Sequence, residues 1–307
     1  MSAFIQHLQD YLQLRLSLGH KLAESKRLLP QFIAYLGETG VQTITINAAL
    51  AWVQIPSADP SSCVWVHRMT AVRGFARYMS GIDPATEIPP LGLVTFRQRR
   101  RLPFIYSPSD IEALMAAVPR LIPTPLRAAT FQTMIGLLAA TGMRIGEVIA
   151  LDRTHINWVE GIVEVRGAKF NQSREIPLHR TTVDALAAYA EVRDRHVPHP
   201  RSQTFFITHK GTAVIYTDFG STFRDLLTSS GVGTGSPVRP RTHDLRHSFA
   251  VNTLVRWHRE RADVGALLPR LSTYLGHRTP EFTYWYLSAA PELLGLAAAR
   301  LENTKGV

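Results

Sequence analysis

Arg241-Thr242-His243-Asp244-Leu245-Arg246-His247 is the stretch on which the reading of this chain turns. His243 and Arg246 stand three residues apart and His243 and His247 four apart, so on a helix all three side chains leave from one side. An imidazole and a guanidinium on one face can share an anionic target, the guanidinium gripping two oxygens at once. The same spacing would suit a zinc hydrolase, with His243 and His247 facing the ion as in a His-Glu-x-x-His helix. The sequence resists that rival: Asp244 replaces the Glu, Arg246 would set a positive charge beside the metal, and the single cysteine, Cys63, lies in a different region of the chain. Neither a metal nor a cofactor is expected.

Working outward, three further segments carry candidate chemistry. Upstream lies Ala140-Thr141-Gly142-Met143-Arg144-Ile145-Gly146-Glu147, at the end of a helical stretch that begins near Ser107-Pro108-Ser109-Asp110 and runs through Leu151. Between the two, Ile156 to Arg166 and Glu175 to Leu178 read as strands joined by a polar hairpin connection that holds Lys169. Downstream stands Leu275-Gly276-His277, with Tyr286 nine residues later. Thr181 to Arg195 and Asp218 to Ser229 read as helices, Thr204 to Thr208 as a short strand, and the chain from His243 to its end as helix. Gly231-Val232-Gly233-Thr234-Gly235 reads as a loop, because no strand-turn-helix context surrounds it.

The chain before residue 91 has a different character. Phe4, Ile5, Leu8, Tyr11 and Leu12 recur at helical spacing, as do Leu28, Leu29, Phe32, Ile33 and Leu36, and again Val64, Met69, Val72, Phe75 and Tyr78. We therefore expect a helical domain over residues 1–90. From Asp83 to Pro103 the periodicity breaks into Pro84, Pro89, Pro90 and Gly92, followed by Arg97, Arg99, Arg100 and Arg101, the composition of an exposed connector. This places a basic interdomain linker at 91–106 and a second domain at 107–307. The linker arginines and Arg241 are candidate contacts to a phosphate backbone; an ordinary solvated charge run is the alternative.

Composition narrows the partner. The 307 residues carry 34 Lys or Arg against 24 Asp or Glu, a net charge of +10, and 45% are hydrophobic. Residues 1–90 hold seven basic against six acidic side chains, and 91–307 hold 27 against 18, so nine of the ten excess charges lie in the second part. Such an excess suggests nucleic acid. Twenty-nine of the basic residues are Arg, whose planar fork suits phosphate oxygens better than an ammonium does. No window reaches the length of apolar residues that a membrane span needs, the N-terminus lacks a basic segment followed by an apolar run, and Cys63 cannot form an internal disulfide. The expectation is a cytoplasmic, nucleoid-associated protein with no membrane partner.

Taken in order, the Thr-Gly-x-Arg-x-x-Glu, His-x-x-Arg-His and Leu-Gly-His elements, with Tyr286 nine residues after His277, resemble the catalytic signature of the tyrosine recombinases, the family of phage integrases and of integrases of mobile elements. The resemblance covers roughly the last two thirds of the chain. It implies a mainly α fold with a small antiparallel β-sheet in the catalytic domain, and a two-domain clamp in which the helical first part is the core-binding domain. It also implies a site-specific recombinase that cuts and rejoins DNA through a 3′-phosphotyrosyl intermediate, without ATP or metal. Its partners would be double-stranded DNA with inverted half-sites and three further copies of the chain, a homotetramer on two DNA sites, the state in free solution being left open to a monomer. One departure is Gly146, where many members carry Ser; no chemistry rests on that position. An inactive DNA-binding regulator of the same fold is the alternative from another functional class.

Elementary chemistry assigns the roles. Attack on a phosphodiester builds charge on its non-bridging oxygens, so a metal-free site needs fixed cationic donors, which Arg144 and Arg246 supply and His277 supplements. His243 reads as base or donor. The deoxyribose oxygen leaves poorly unless protonated, and Lys169 is the candidate acid, since Lys210 sits in a turn and Lys305 in the terminal tail. Tyr286 is the candidate nucleophile; its spacing from His277, nine residues, is what the resemblance to the family motif implies, and this separates it from its aromatic neighbour Tyr284. Glu147, three residues after Arg144, and His247 read as neighbours that orient these groups. Pro291 to Arg300 reads as an apolar helix that docks either on a neighbouring subunit or on its own domain.

Overall fold

In the computed structural model, residues 2–55, 63–94, 101–166 and 173–277, and positions 279, 283, 284 and 286, are described. The chain forms two compact units, Met1–Arg101 and Leu102–Val307. The first contains four helices, α1 (Ser2–Ser17), α2 (Ala23–Glu38), α3 (Ile46–Gln54) and α4 (Val64–Met79). The helical periodicity is what buries them: Leu28, Leu29, Phe32, Ile33 and Leu36 of α2 meet Trp52 and Val53 of α3 and Val72 and Phe75 of α4 in one apolar core. Thr45 starts α3 by accepting the Ala48 N–H at 3.1 Å. The proline-rich segment that follows α4 is tied to this unit, for Arg73 donates to the carbonyls of Pro89 and Pro90 at 2.8 and 2.9 Å, and the Glu87 carboxylate accepts the Ile46 N–H at 2.6 Å.

The second unit is helical around a small sheet. Helix α5 (Pro108–Leu121) opens with a capping box between Ser107 and Asp110, and α6 (Pro125–Thr141) and the short α7 (Ile145–Ile149) follow. Strands β1 (Ile156–Asn157), β2 (Ile162–Val165) and β3 (Arg174–Pro177) form an antiparallel sheet in the order β1-β2-β3, with Val163 opposite Ile176 and Val165 opposite Arg174. Helices α8 (Arg180–His196), α9 (Tyr216–Ser230), α10 (Thr242–Arg259) and α11 (Val264–Leu275) complete it. Alternate strand residues Val163, Val165 and Ile176 are buried and join Phe131, Met134, Leu138, Phe205, Phe206, Phe219 and Leu245 in the core. Tyr106 is buried in that core as well; its N–H donates to the Ser248 hydroxyl at 2.8 Å, so the residues before α5 are anchored in the second unit rather than left as connector. Among the described residues no helix is long and apolar enough to cross a membrane.

Three element readings need revision. The single strand expected over Ile156 to Arg166 is two strands, because Asn157 Oδ1 accepts the N–H groups of Val159 and Glu160 and Gly161 adopts φ 64°, a turn that the β-forming Trp158 and Val159 conceal. No strand forms over Thr204 to Thr208, only isolated bridges at Thr204 and Ile207, since the consecutive Phe205 and Phe206 are both buried instead of alternating. Helix also does not run unbroken from His243: α10 ends at Arg259, Arg261 takes φ 55°, and Asp263 restarts the chain by accepting the Ala266 N–H. The expected helix at Pro291 to Arg300 lies outside the described residues.

Candidate active site

Two left-handed glycine turns build the frame. Gly142 (φ 62°) ends α6 and turns the chain into Arg144, while Gly276 (φ 65°) ends α11 and turns it into His277. A side chain at Gly142 would meet Phe249 at 2.6 Å, and one at Gly276 would meet the Arg174 guanidinium at 3.0 Å, so both positions need glycine for space as well as for φ. The carbonyls around these turns hold Arg144, the residue before α7, and Arg246 of α10. Arg246, almost fully buried, donates to the carbonyl of Gly142 at 2.8 Å and to that of Leu275; Arg144, partly open to solvent, donates to the carbonyl of Gly276 at 2.9 Å.

Glu147 ties this frame to the sheet. Its Oε1 accepts from Arg144 at 2.8 Å and Arg174 at 3.0 Å, and its Oε2 accepts the Arg144 backbone N–H at 2.9 Å and Arg174 at 2.7 Å. Burial alone would raise its pKa, but the hydrogen bonds and charge of Arg174, with those from Arg144, pull it down to about 2, so it stays a carboxylate. Arg174 also donates from Nε to the Tyr274 carbonyl at 2.8 Å. Sequence reasoning passed over Arg174; its only sequence signal was a cation at the foot of the polar hairpin.

The remaining groups lie around Tyr286. From the first turns of α10, His243 and His247 set their rings edge to face at 4.8 Å, and the His247 ring meets that of Tyr286 at 5.3 Å. His277 stacks on Tyr286 at 5.9 Å and shares a hydrogen bond of 2.8 Å with the Thr283 hydroxyl. Burial, then the charge of Arg246, lowers the pKa of His243. Burial and neighbouring His243 take His247 down to about 3, and burial with the charges of Arg246 and Arg144 does the same for His277. All three are neutral near pH 7. Burial raises the Tyr286 pKa, against the charge and hydrogen bond of Arg246, so the phenol keeps its proton. Tyr286 is 2% exposed and Tyr284 53%, so of the two tyrosines only Tyr286 faces this cluster.

Arg144, Arg246, His243, His247, His277, Glu147 and Tyr286 are thus brought together. Arg241 is engaged otherwise: it begins α10, where its backbone and guanidinium both bond the fully buried Asp244 carboxylate, with a guanidinium distance of 2.8 Å. Asp244 is thereby committed to a helix cap and not to a ligand position. Arg101 is exposed; Arg97, Arg99, Arg100 and Lys169 lie outside the described residues. Among the described residues no three His, Cys, Asp or Glu side chains converge as a metal site. The cluster can neutralise an anion with two guanidiniums, present a phenol to it and take up that phenol's proton.

Residues 106–292 match the model of the phage integrase family. The chain is 40% identical to the Sinorhizobium fredii protein y4rB, named as an integrase/recombinase, over 99% of this chain and 98% of that one. It is 26% identical to the tyrosine recombinase XerD of Listeria monocytogenes over 85% of each. Among solved structures, the Tn1549 transposon integrase in complex with a circular intermediate DNA superposes with a TM-score of 0.64 at 15% identity, covering 97% of this chain and 99% of that one. The XerH site-specific recombinase bound to a difH substrate superposes with a TM-score of 0.63 at 17% identity, covering 85% and 74%.

Proposed function

The chain belongs to the phage integrase family and is a site-specific DNA recombinase, and we propose that it works by transesterification through a covalent link between Tyr286 and a DNA 3′-phosphate. The observation that carries this reading is the buried Tyr286 ring set against those of His247 and His277, at 5.3 and 5.9 Å, in the cluster where the charges of Arg246 and Arg144 act on its phenol. In the proposed first step the scissile phosphate takes its place between the two guanidiniums. The phenolic oxygen attacks phosphorus, and its proton passes to His243, which burial and the charge of Arg246 keep neutral. Arg144, Arg246 and His277 hold the charge that develops on the non-bridging oxygens. The bond to the deoxyribose 5′-oxygen breaks, and Lys169 gives that oxygen its proton. Because one phosphate ester replaces another, the reverse step rejoins strands with no external energy source.

Double-stranded DNA is the partner this assigns, in keeping with the +10 net charge, with the circular intermediate DNA bound by the transposon integrase and with the difH substrate bound by XerH. We further assign a homotetramer on two sites with inverted half-sites, since exchange between two duplexes needs four cleavages. Its place is the cytoplasm, at the nucleoid. Nicked duplexes made from the DNA that flanks the gene test the reading: they should become covalently attached to the protein, and the attachment should survive a strong chelator. Noncovalent binding with no attachment would instead favour an inactive DNA-binding regulator.

A further inference from the structure

We propose that Arg174, through its grip on Glu147, is the positioning residue that sets the Arg144 guanidinium for the phosphate. The inference rests on the transesterification reading above. It begins from an imbalance in the site: one buried carboxylate receives four donors from two arginines, although Arg144 alone, three residues away and already bonded to it through its backbone N–H, is placed to occupy both oxygens. Arg174 prevents this. Its Nη1 and Nη2 take Oε1 and Oε2 together as a two-pronged grip at 3.0 and 2.7 Å, which fixes the plane of the carboxylate and leaves Arg144 a single guanidinium bond to it at 2.8 Å. Arg144 is then held at a second point, its Nη2 on the Gly276 carbonyl at 2.9 Å, while 31% of its side chain stays open to solvent.

Arg174 closes this arrangement into a ring. Its Nε bonds the Tyr274 carbonyl, two residues before the Gly276 carbonyl that holds Arg144, and its guanidinium lies against Gly276 itself. Each step of the path from Arg174 to Glu147, to Arg144, to the Gly276 turn and back is a hydrogen bond or a chain connection of two residues, and Arg174 is only 10% exposed along its side chain. The backbone of Arg174 is paired with Val165 in the sheet, so the ring is anchored in regular structure. A lysine here would keep the charge but offer no planar fork, and it could not hold both carboxylate oxygens and the Tyr274 carbonyl in the same geometry. Glu147 would then turn toward Arg144 and draw the guanidinium away from the phosphate position.

The test is single-turnover formation of the covalent adduct by wild type, Arg174→Lys, Glu147→Gln and the double variant, on a nicked phosphodiester substrate and on its neutral methylphosphonate counterpart at the scissile position. The second substrate has one negative charge fewer for Arg144 to neutralise. We expect Arg174→Lys to bind DNA noncovalently within about twofold of wild type, yet to form adduct at least tenfold more slowly on the phosphodiester, with the deficit falling below about threefold on the methylphosphonate. Glu147→Gln should repeat this pattern, and the double variant should be no slower than the slower single one. Wild-type rates in Arg174→Lys, or an equal deficit on both substrates, would overturn the proposal, the latter marking a merely structural residue. If Arg174→Lys does not fold, Glu147→Gln decides by the same two substrates. Absence of adduct with wild type would strike the transesterification reading itself, and this proposal with it.

Discussion

Glu147→Gln removes a carboxylate that two guanidiniums hold ionised, and its effect on stability should depend on pH. With a pKa of about 2 in the folded chain and 4.5 as its ordinary value, the unfolded state binds more protons between those limits. The stabilisation from Glu147 is therefore complete above about pH 4.5 and fades as pH falls toward 2; urea midpoints across that range should lose this slope in the Gln variant. His247 and His277 act in a higher window. Their pKa values of about 3 against 6.5 make the unfolded chain the better proton acceptor, so stability should fall as pH drops from about 6.5 toward 3, and His277→Gln should flatten part of that fall. An unchanged pH profile in either variant would contradict the assigned charge states. At this scale the sequence was informative through order and spacing: the arginines, histidines and Tyr286 could be named from the ordered elements and the family resemblance. Arg174 could not, because its importance comes from meeting Glu147 and the Tyr274 carbonyl, contacts that join residues 27 and 100 positions apart.

The elements hold the site through their ends. Gly142 and Gly276 stop α6 and α11 in the left-handed region, and the carbonyls these turns expose receive Arg246 and Arg144. Gly276→Ala should combine backbone strain with crowding of Arg174 at 3.0 Å, lowering the melting temperature and slowing adduct formation together. Gly146 offers the contrast, since among the described residues no atom beyond its chain neighbours and its own helix backbone lies within 4 Å of where its Cβ would be; Gly146→Ser should change stability by no more than about 0.5 kcal/mol. Ser107→Ala breaks the capping box of α5 and should cost about 1 kcal/mol, read as a melting shift of about 2–4 °C. Helices that bury a periodic stripe, such as α2 and α9, were legible in advance. Of the strands, β3 was legible at Glu175 to Leu178, but the break between β1 and β2 was not, because Trp158 and Val159 favour strand by type while the side chain of Asn157 bends the backbone there, nor was the absence of a strand at Thr204 to Thr208, where Phe205 and Phe206 are claimed by the core and not by a ladder.

For the molecule as a whole, charge and covalent chemistry are separable. A chain with 27 basic against 18 acidic residues beyond residue 90 should lose DNA affinity steeply with salt, log K falling by about 0.9 per tenfold rise in salt for each phosphate contacted. Binding that ignores salt would contradict a phosphate-tracking surface. The change from helical periodicity to prolines and arginines lies ahead of residue 101, where the two units divide; Arg73 holds Pro89 and Pro90 to the first unit, and Tyr106 enters the core of the second, contacts that composition does not announce. What matters most for function is which oxygen takes the phosphate. The direct measurement is peptide mapping of the protein trapped on a nicked duplex, with Tyr286→Phe and Tyr284→Phe alongside. The phosphate should be found on Tyr286, with no adduct from Tyr286→Phe, undiminished adduct from Tyr284→Phe and noncovalent binding retained by both. An adduct that persists in Tyr286→Phe, or that maps to Tyr284, would contradict the account.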